Sequence, residues 1–99
     1  MAYVVVMASF PAHVGKDVGK LFLKLEKLPD FVKTEHVFNT SAGDITSFSI
    51  YQIPDETRYF EGLKAIVKRY SGYSEVEGYK YHLYPVLEAK DALQMVGLG

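Results

Sequence analysis

Ala2-Tyr3-Val4-Val5-Val6-Met7-Ala8-Ser9-Phe10 opens the chain with a run that is apolar on both of its alternating faces. Successive side chains of a strand point to opposite sides, so Val4, Val6 and Ala8 form one row and Tyr3, Val5 and Met7 the other. A strand of this kind belongs in the middle of a sheet and has to be covered above and below. The run has no basic leader and is far too short to cross a bilayer, so it predicts a strand and not a signal or anchor. A cytoplasmic protein is the expectation.

Working outward, Pro11 ends the run and a helical pattern follows. Val14, Val18, Leu21, Phe22, Leu25 and Leu28 recur at helical spacing from His13 to Leu28, with Lys16, Lys20, Lys24 and Lys27 along another side. Pro29-Asp30 stops it. Residues 31–40 and 44–53 read as extended, and Ser41-Ala42-Gly43-Asp44 supplies a hairpin turn between them. Pro54 breaks the second of these strands and Asp55 is placed to cap a helix. Tyr59, Phe60, Leu63, Ile66, Val67 and Tyr70 form that helix's apolar stripe, which ends near Ser71-Gly72. Tyr79 to Tyr84 makes a fourth strand, with Pro85 expected to close it, and residues 87–96 add a short C-terminal helix.

The order is βαββαβ, an α+β domain with an antiparallel four-stranded sheet. The right-handed, non-crossing solution is the ferredoxin-like sandwich with strand order 4-1-3-2. Both helices then cover one sheet face and leave an apolar row of the first strand bare. A second copy stacked sheet to sheet is the expected cover, giving a homodimer or a larger ring of the same subunit.

Composition narrows the functional classes. The 99 residues suffice for one domain, 1–99, and the 48% hydrophobic share argues against disorder. A formal charge of −1, from 11 basic and 12 acidic residues, gives no field to attract nucleic acid or anionic lipid. The absence of cysteine removes thiolate nucleophiles, zinc ribbons and iron–sulfur clusters. No nucleotide-binding glycine motif, GxSxG elbow or HExxH pair is present, so no cofactor and no metal site are expected.

Tyr3-Val4-Val5-Val6, Phe48-Ser49-Ile50-Tyr51 and above all Gly78-Tyr79-Lys80-Tyr81-His82-Leu83-Tyr84-Pro85-Val86-Leu87 before a terminal helix resemble the dimeric α/β-barrel superfamily. The likeness spans nearly the whole chain and is closest in outline to that superfamily's small uncharacterised members. It implies two ferredoxin-like sheets packed into one barrel. Relatives include antibiotic-biosynthesis monooxygenases, haem-degrading monooxygenases, muconolactone isomerases and ligand-sensing domains of transcription regulators, and a shared fold does not choose among them. The haem-degrading type uses a tryptophan with an asparagine and a histidine; this chain has no tryptophan, and its one helix-start histidine is His13. Other users of the topology fit less well: the third strand lacks the RNA-recognition signature, and no CxxC or phosphate-cradling glycine loop follows the first strand.

On residues 46–51, Phe48 and Ile50 alternate with Ser47, Ser49 and Tyr51. Alternation predicts the apolar pair toward the helices and the polar set toward the barrel, joined there by Thr34, His36, Phe38, Lys80, His82 and Tyr84. His36 and His82 are candidate general bases, because imidazole titrates near neutrality, or else solvated strand residues. On opposite edge strands they stand about 14 Å apart, at ~4.8 Å per strand, too far to share an ion within one subunit. Tyr51, Tyr81 and Tyr84 are orienters of a substrate or fillers of an interface. Gly15 and Gly19 permit a close approach to the first helix or reflect loose initiation. The ligand contacts expected are Met7, Ser47, Ser49, Tyr51 and Tyr84, with His36, His82 and Tyr51 as catalytic candidates. The reading is a homodimer binding a small, partly aromatic molecule in barrel or cleft. Its alternatives are a cofactor-independent monooxygenase or isomerase and a non-catalytic sensor or interaction module.

Overall fold

A computed structural model describes residues 2–41 and 43–98. Met1 and Gly99, the ends of the expected domain, and Ala42 of the expected turn lie outside them.

The elements are strand β1 (Ala2–Phe10), helix α1 (Gly15–Lys24), strands β2 (Lys33–Thr40) and β3 (Ile45–Ile53), helix α2 (Tyr59–Ser71), strand β4 (Lys80–Val86) and helix α3 (Ala89–Met95). A 3-10 turn leads into each of the first two helices. All strand pairs are antiparallel, in the order β2-β3-β1-β4. This is the expected order read from the other edge: an α+β fold with an open four-stranded antiparallel sheet, consistent with the ferredoxin-like arrangement.

Local chemistry sets the boundaries. Asp55 accepts hydrogen bonds from the Thr57 backbone N–H (3.1 Å) and hydroxyl (2.6 Å), satisfying donors that the start of a helix leaves unpaired. The β2–β3 turn runs through Gly43 at φ +96°, where a side chain would be strained. α1 is shorter than its apolar pattern implied, because Leu25 leaves helical geometry at ψ 147°. β4 continues through Pro85 to Val86, contrary to the expected stop. It is an edge strand, bonded on one side only, which is where a sheet tolerates proline.

The core lies between the sheet and α2. Val4, Val6, Ile53 and Ile66 are fully buried, with Ala8, Tyr51 and Tyr70 close behind. Gly62 lets α2 approach the sheet: a Cβ there would collide with Cδ1 of Ile53 and lie 3.0 Å from its Cγ1. β1 therefore turns its Val4–Val6–Ala8 row to the helices.

Register then fixes the rest of the sheet, and two expectations about facing are corrected. Val4, Val6 and Ala8 pair with Tyr51, Ser49 and Ser47, so these three residues face the helices, and Phe48 and Ile50 lie on the open face opposite Met7 and Val5. The polar alternation of residues 46–51 is real, but its phase is the reverse of that expected. Beyond that window Ile45 and Ile53 share parity with the two serines and Tyr51, and packing of Tyr51 and Ile53 under α2 decides the matter. On β2 a register shift between Thr34 and His36 inserts one extra residue. Thr34 thus joins Tyr51 on the helix face, whereas His36 and Phe38 pair with Ile50 and Phe48 on the open face.

Candidate functional site

Between α1 and the sheet the helix face is not filled. α1 buries none of its side chains, and a cleft of about 530 Å³ separates it from β2 and β3. The cause is visible on both walls. The sheet presents Thr34, Asn39, Ser47 and Ser49, too short to reach the helix, and the helix replies with Gly15 and Gly19, which have no side chain to reach back. A Cβ built at Gly19 would meet nothing within 4 Å. The serines two apart and glycines four apart are the sequence signal of this space.

α1 is held instead by its ends. Val14, just before it, is buried. After it, the Arg69 guanidinium donates to the carbonyls of Phe22 (3.2 Å), Leu25 (3.3 Å) and Glu26 (2.8 Å), and lies 5.2 Å from the centre of the Phe22 ring. A cation bonded to the unpaired carbonyls of a helix C-terminus offsets their partial negative charge. One side chain of α2 thereby fixes the height of α1 above the cleft.

The far wall is aromatic. Phe10 stacks on Tyr79 with ring centres 5.8 Å apart and planes 8° apart, and Tyr79 stacks on Tyr73 at 4.6 Å and 14°. All three rings line the cleft. At its floor the Tyr51 and Tyr70 hydroxyls share a hydrogen bond of 2.7 Å, and Ser49 is hydrogen-bonded to the Tyr70 hydroxyl. Aromatic walls with a few convergent hydroxyls are the usual composition of a small-molecule site.

Burial, reinforced by Tyr51, pushes the Tyr70 hydroxyl well above the ordinary tyrosine value; burial next to Tyr73 does the same for Tyr79. Both stay neutral across the biological pH range, as hydrogen-bonding groups and not as bases. Unfolded tyrosine ionises near pH 10 while the folded protein still holds these protons, so stability should fall from about pH 10 upward. Tyr70→Phe should flatten that fall by about 1.4 kcal/mol per pH unit, the linkage for one proton, as read by urea denaturation across the alkaline range. An unchanged slope would mean that Tyr70 ionises alike in both states.

The candidates divide between two faces. Ser47, Ser49 and Tyr51 line the cleft, whereas Met7, His36, His82 and Tyr84 lie on the open face. His36 stacks on Phe38 (5.4 Å) along one edge strand, and His82 stacks on Tyr84 (6.2 Å) along the other. The proposed bases and the proposed orienter Tyr51 are thus on opposite sides of the sheet. Among the described residues no group of three or more histidine, aspartate or glutamate side chains could hold a metal ion. Nor is any helix among them long and apolar enough to cross a membrane. Sequence reasoning passed over Tyr70, Tyr73 and Tyr79 as site residues. Their signal was the three-residue spacing of Tyr70 and Tyr73 at the end of the second helix.

No protein-family model matches the chain, and no curated protein matches it in sequence. Among solved structures it is similar to the de novo designed protein Foldit4, with a TM-score of 0.56 at 9% identity, over 89% of this chain and 99% of the design. That is a likeness of fold alone. A tripeptidase from Staphylococcus aureus aligns at a TM-score of 0.47 and 13% identity, and this chain spans 36% of its length.

Proposed function

We propose that this protein is a homodimer that binds a small, partly aromatic molecule in the cleft between α1 and the sheet. The cleft carries the proposal: about 530 Å³, within the ordinary range for small-molecule sites, with stacked rings on one wall and the Ser49–Tyr70–Tyr51 hydroxyls at its floor. Binding is favoured over the monooxygenase or isomerase reading because no imidazole or carboxylate is found among the described lining residues, and the tyrosines there that burial perturbs hold their protons. Dimerisation is supported by the open sheet face, where Val5, Met7, Phe48 and Ile50 form an apolar centre between two histidine–aromatic edges.

The test is a titration with the neutral fluorescent probe N-phenyl-1-naphthylamine, wild type against Gly19→Phe. The substitution places a ring in open space, on a helix that gains propensity by losing glycine. Binding should weaken by at least about tenfold with the fold intact, since the ring takes space the probe needs. Equal binding by both proteins would place the probe elsewhere and remove the cleft from the argument.

A second reading, the interaction module, rests on the end of the chain. α3 buries no side chain, and Leu93, Met95, Val96 and Leu98 are all exposed. In that reading tyrosines and the terminal helix make subunit contacts, and deletion of residues 87–99 should weaken assembly.

A further inference from the structure

The charged side chains that line the cleft are of one sign. Lys27 and Arg69 both line it, and no aspartate or glutamate is found among the described lining residues, although the chain as a whole carries −1. Their roles differ. Arg69 is committed to the carbonyls at the end of α1, which offset much of its charge. Lys27 makes no hydrogen bond or ion pair among the described residues, and the nearby acid, Glu26, is directed to Lys68 at 3.8 Å. An ammonium without a counter-ion at the mouth of an apolar, aromatic cleft raises the local concentration of anions and strengthens any ion pair made there as water is excluded.

The opposite wall sets the shape of what fits. Phe10, Tyr79 and Tyr73 lie nearly parallel and all three line the cleft, so they form an aromatic wall against which a flat ring can pack. The hydroxyls of Ser47 and Thr34 can donate to an oxygen, and no carboxylate is found among the described lining residues to repel it.

We propose that the ligand is a planar aromatic anion, its ring against the Phe10–Tyr79–Tyr73 stack and its carboxylate or equivalent acid group paired with Lys27. This deepens the binding reading above and depends on it. It assigns Lys27, just beyond the end of α1, a selecting role: all four lysines of the row are exposed, and among the described lining residues of the cleft Lys27 is the one drawn from that row.

The experiment uses two probes that differ in one charged group: 1-anilinonaphthalene-8-sulfonate and the neutral N-phenyl-1-naphthylamine. Both are titrated against wild type, Lys27→Met, Lys27→Arg and Gly19→Phe. Lys27→Met should weaken the sulfonated probe about fivefold and leave the neutral one unchanged, with Lys27→Arg close to wild type. Added salt should weaken only the sulfonated probe. Equal loss of both probes in Lys27→Met, or no loss of either, would overturn the anion assignment while leaving the cleft in place. Indifference of both probes to Gly19→Phe would overturn the cleft itself, and the anion proposal with it.

Discussion

Ile50→Glu should convert the proposed dimer into a folded monomer. Ile50 lies on the open face, between His36 on β2 and Val5 on β1 in the strand register, near the middle of the row of side chains that a second sheet would cover. A two-fold interface repeats each substitution, so one mutation places two carboxylates in the contact. An unpaired buried charge costs about 3–5 kcal/mol, so the dissociation constant should rise by roughly three orders of magnitude at least. The helix-face core is untouched, because Ile50 points away from Val4, Val6 and Ile66. Sedimentation equilibrium gives the readout and circular dichroism checks the fold. Leu23→Glu is the control: Leu23 on α1 is 85% exposed and should leave assembly unchanged. A wild type that stays monomeric at high micromolar concentration, or an Ile50→Glu protein that still dimerises, would remove the open face as an interface.

Gly62→Ala should destabilise the protein by about 1–3 kcal/mol, the usual cost of forcing a methyl group into a packed core. The helix itself would gain, since alanine is preferred to glycine by about 1 kcal/mol in a helix interior. Packing outweighs propensity here because the new methyl would meet Ile53, a side chain with no exposed surface, and lie 3.4 Å from Val32. The diagnostic is the pair. Ile53→Val alone should cost about 0.5–1.5 kcal/mol, yet in the Gly62→Ala background it removes the colliding Cδ1 and should restore stability. Two additive losses in chemical denaturation would show that α2 shifts to accommodate the methyl and that the glycine is not what sets the distance between helix and sheet.

These two substitutions probe the two faces whose existence was legible in residues 2–10 alone. A strand apolar on both rows needs two covers, and the sequence also carried the helical and extended periodicities, the Asp55 cap and the glycine turn, because each depends on side chains within one turn or one strand of each other. Element order and strand order followed from those local patterns and the handedness of crossovers. The serines and glycines of the cleft walls were present as letters, but their meaning depended on which strand face met which helix.

That facing was decided by tertiary structure. β3 carries Phe48 and Ile50 on one face, and Ile45, Tyr51 and Ile53 on the other, so its own alternation contains two competing answers. The choice was made by Tyr51 and Ile53 packing beneath α2, by register with Val4 and Ala2, and by the Gly62 approach. A single extra residue between Thr34 and His36 then reversed the side on which Thr34 stands. Burial energy belongs to a whole face and not to one residue, so a strand with apolar groups on both sides takes its phase from its neighbours. The sequence by itself determined which elements form and in what order; only packing across the sheet brought Ser47, Ser49 and Tyr51 to the cleft on the helix face and sent the two histidines to the other side.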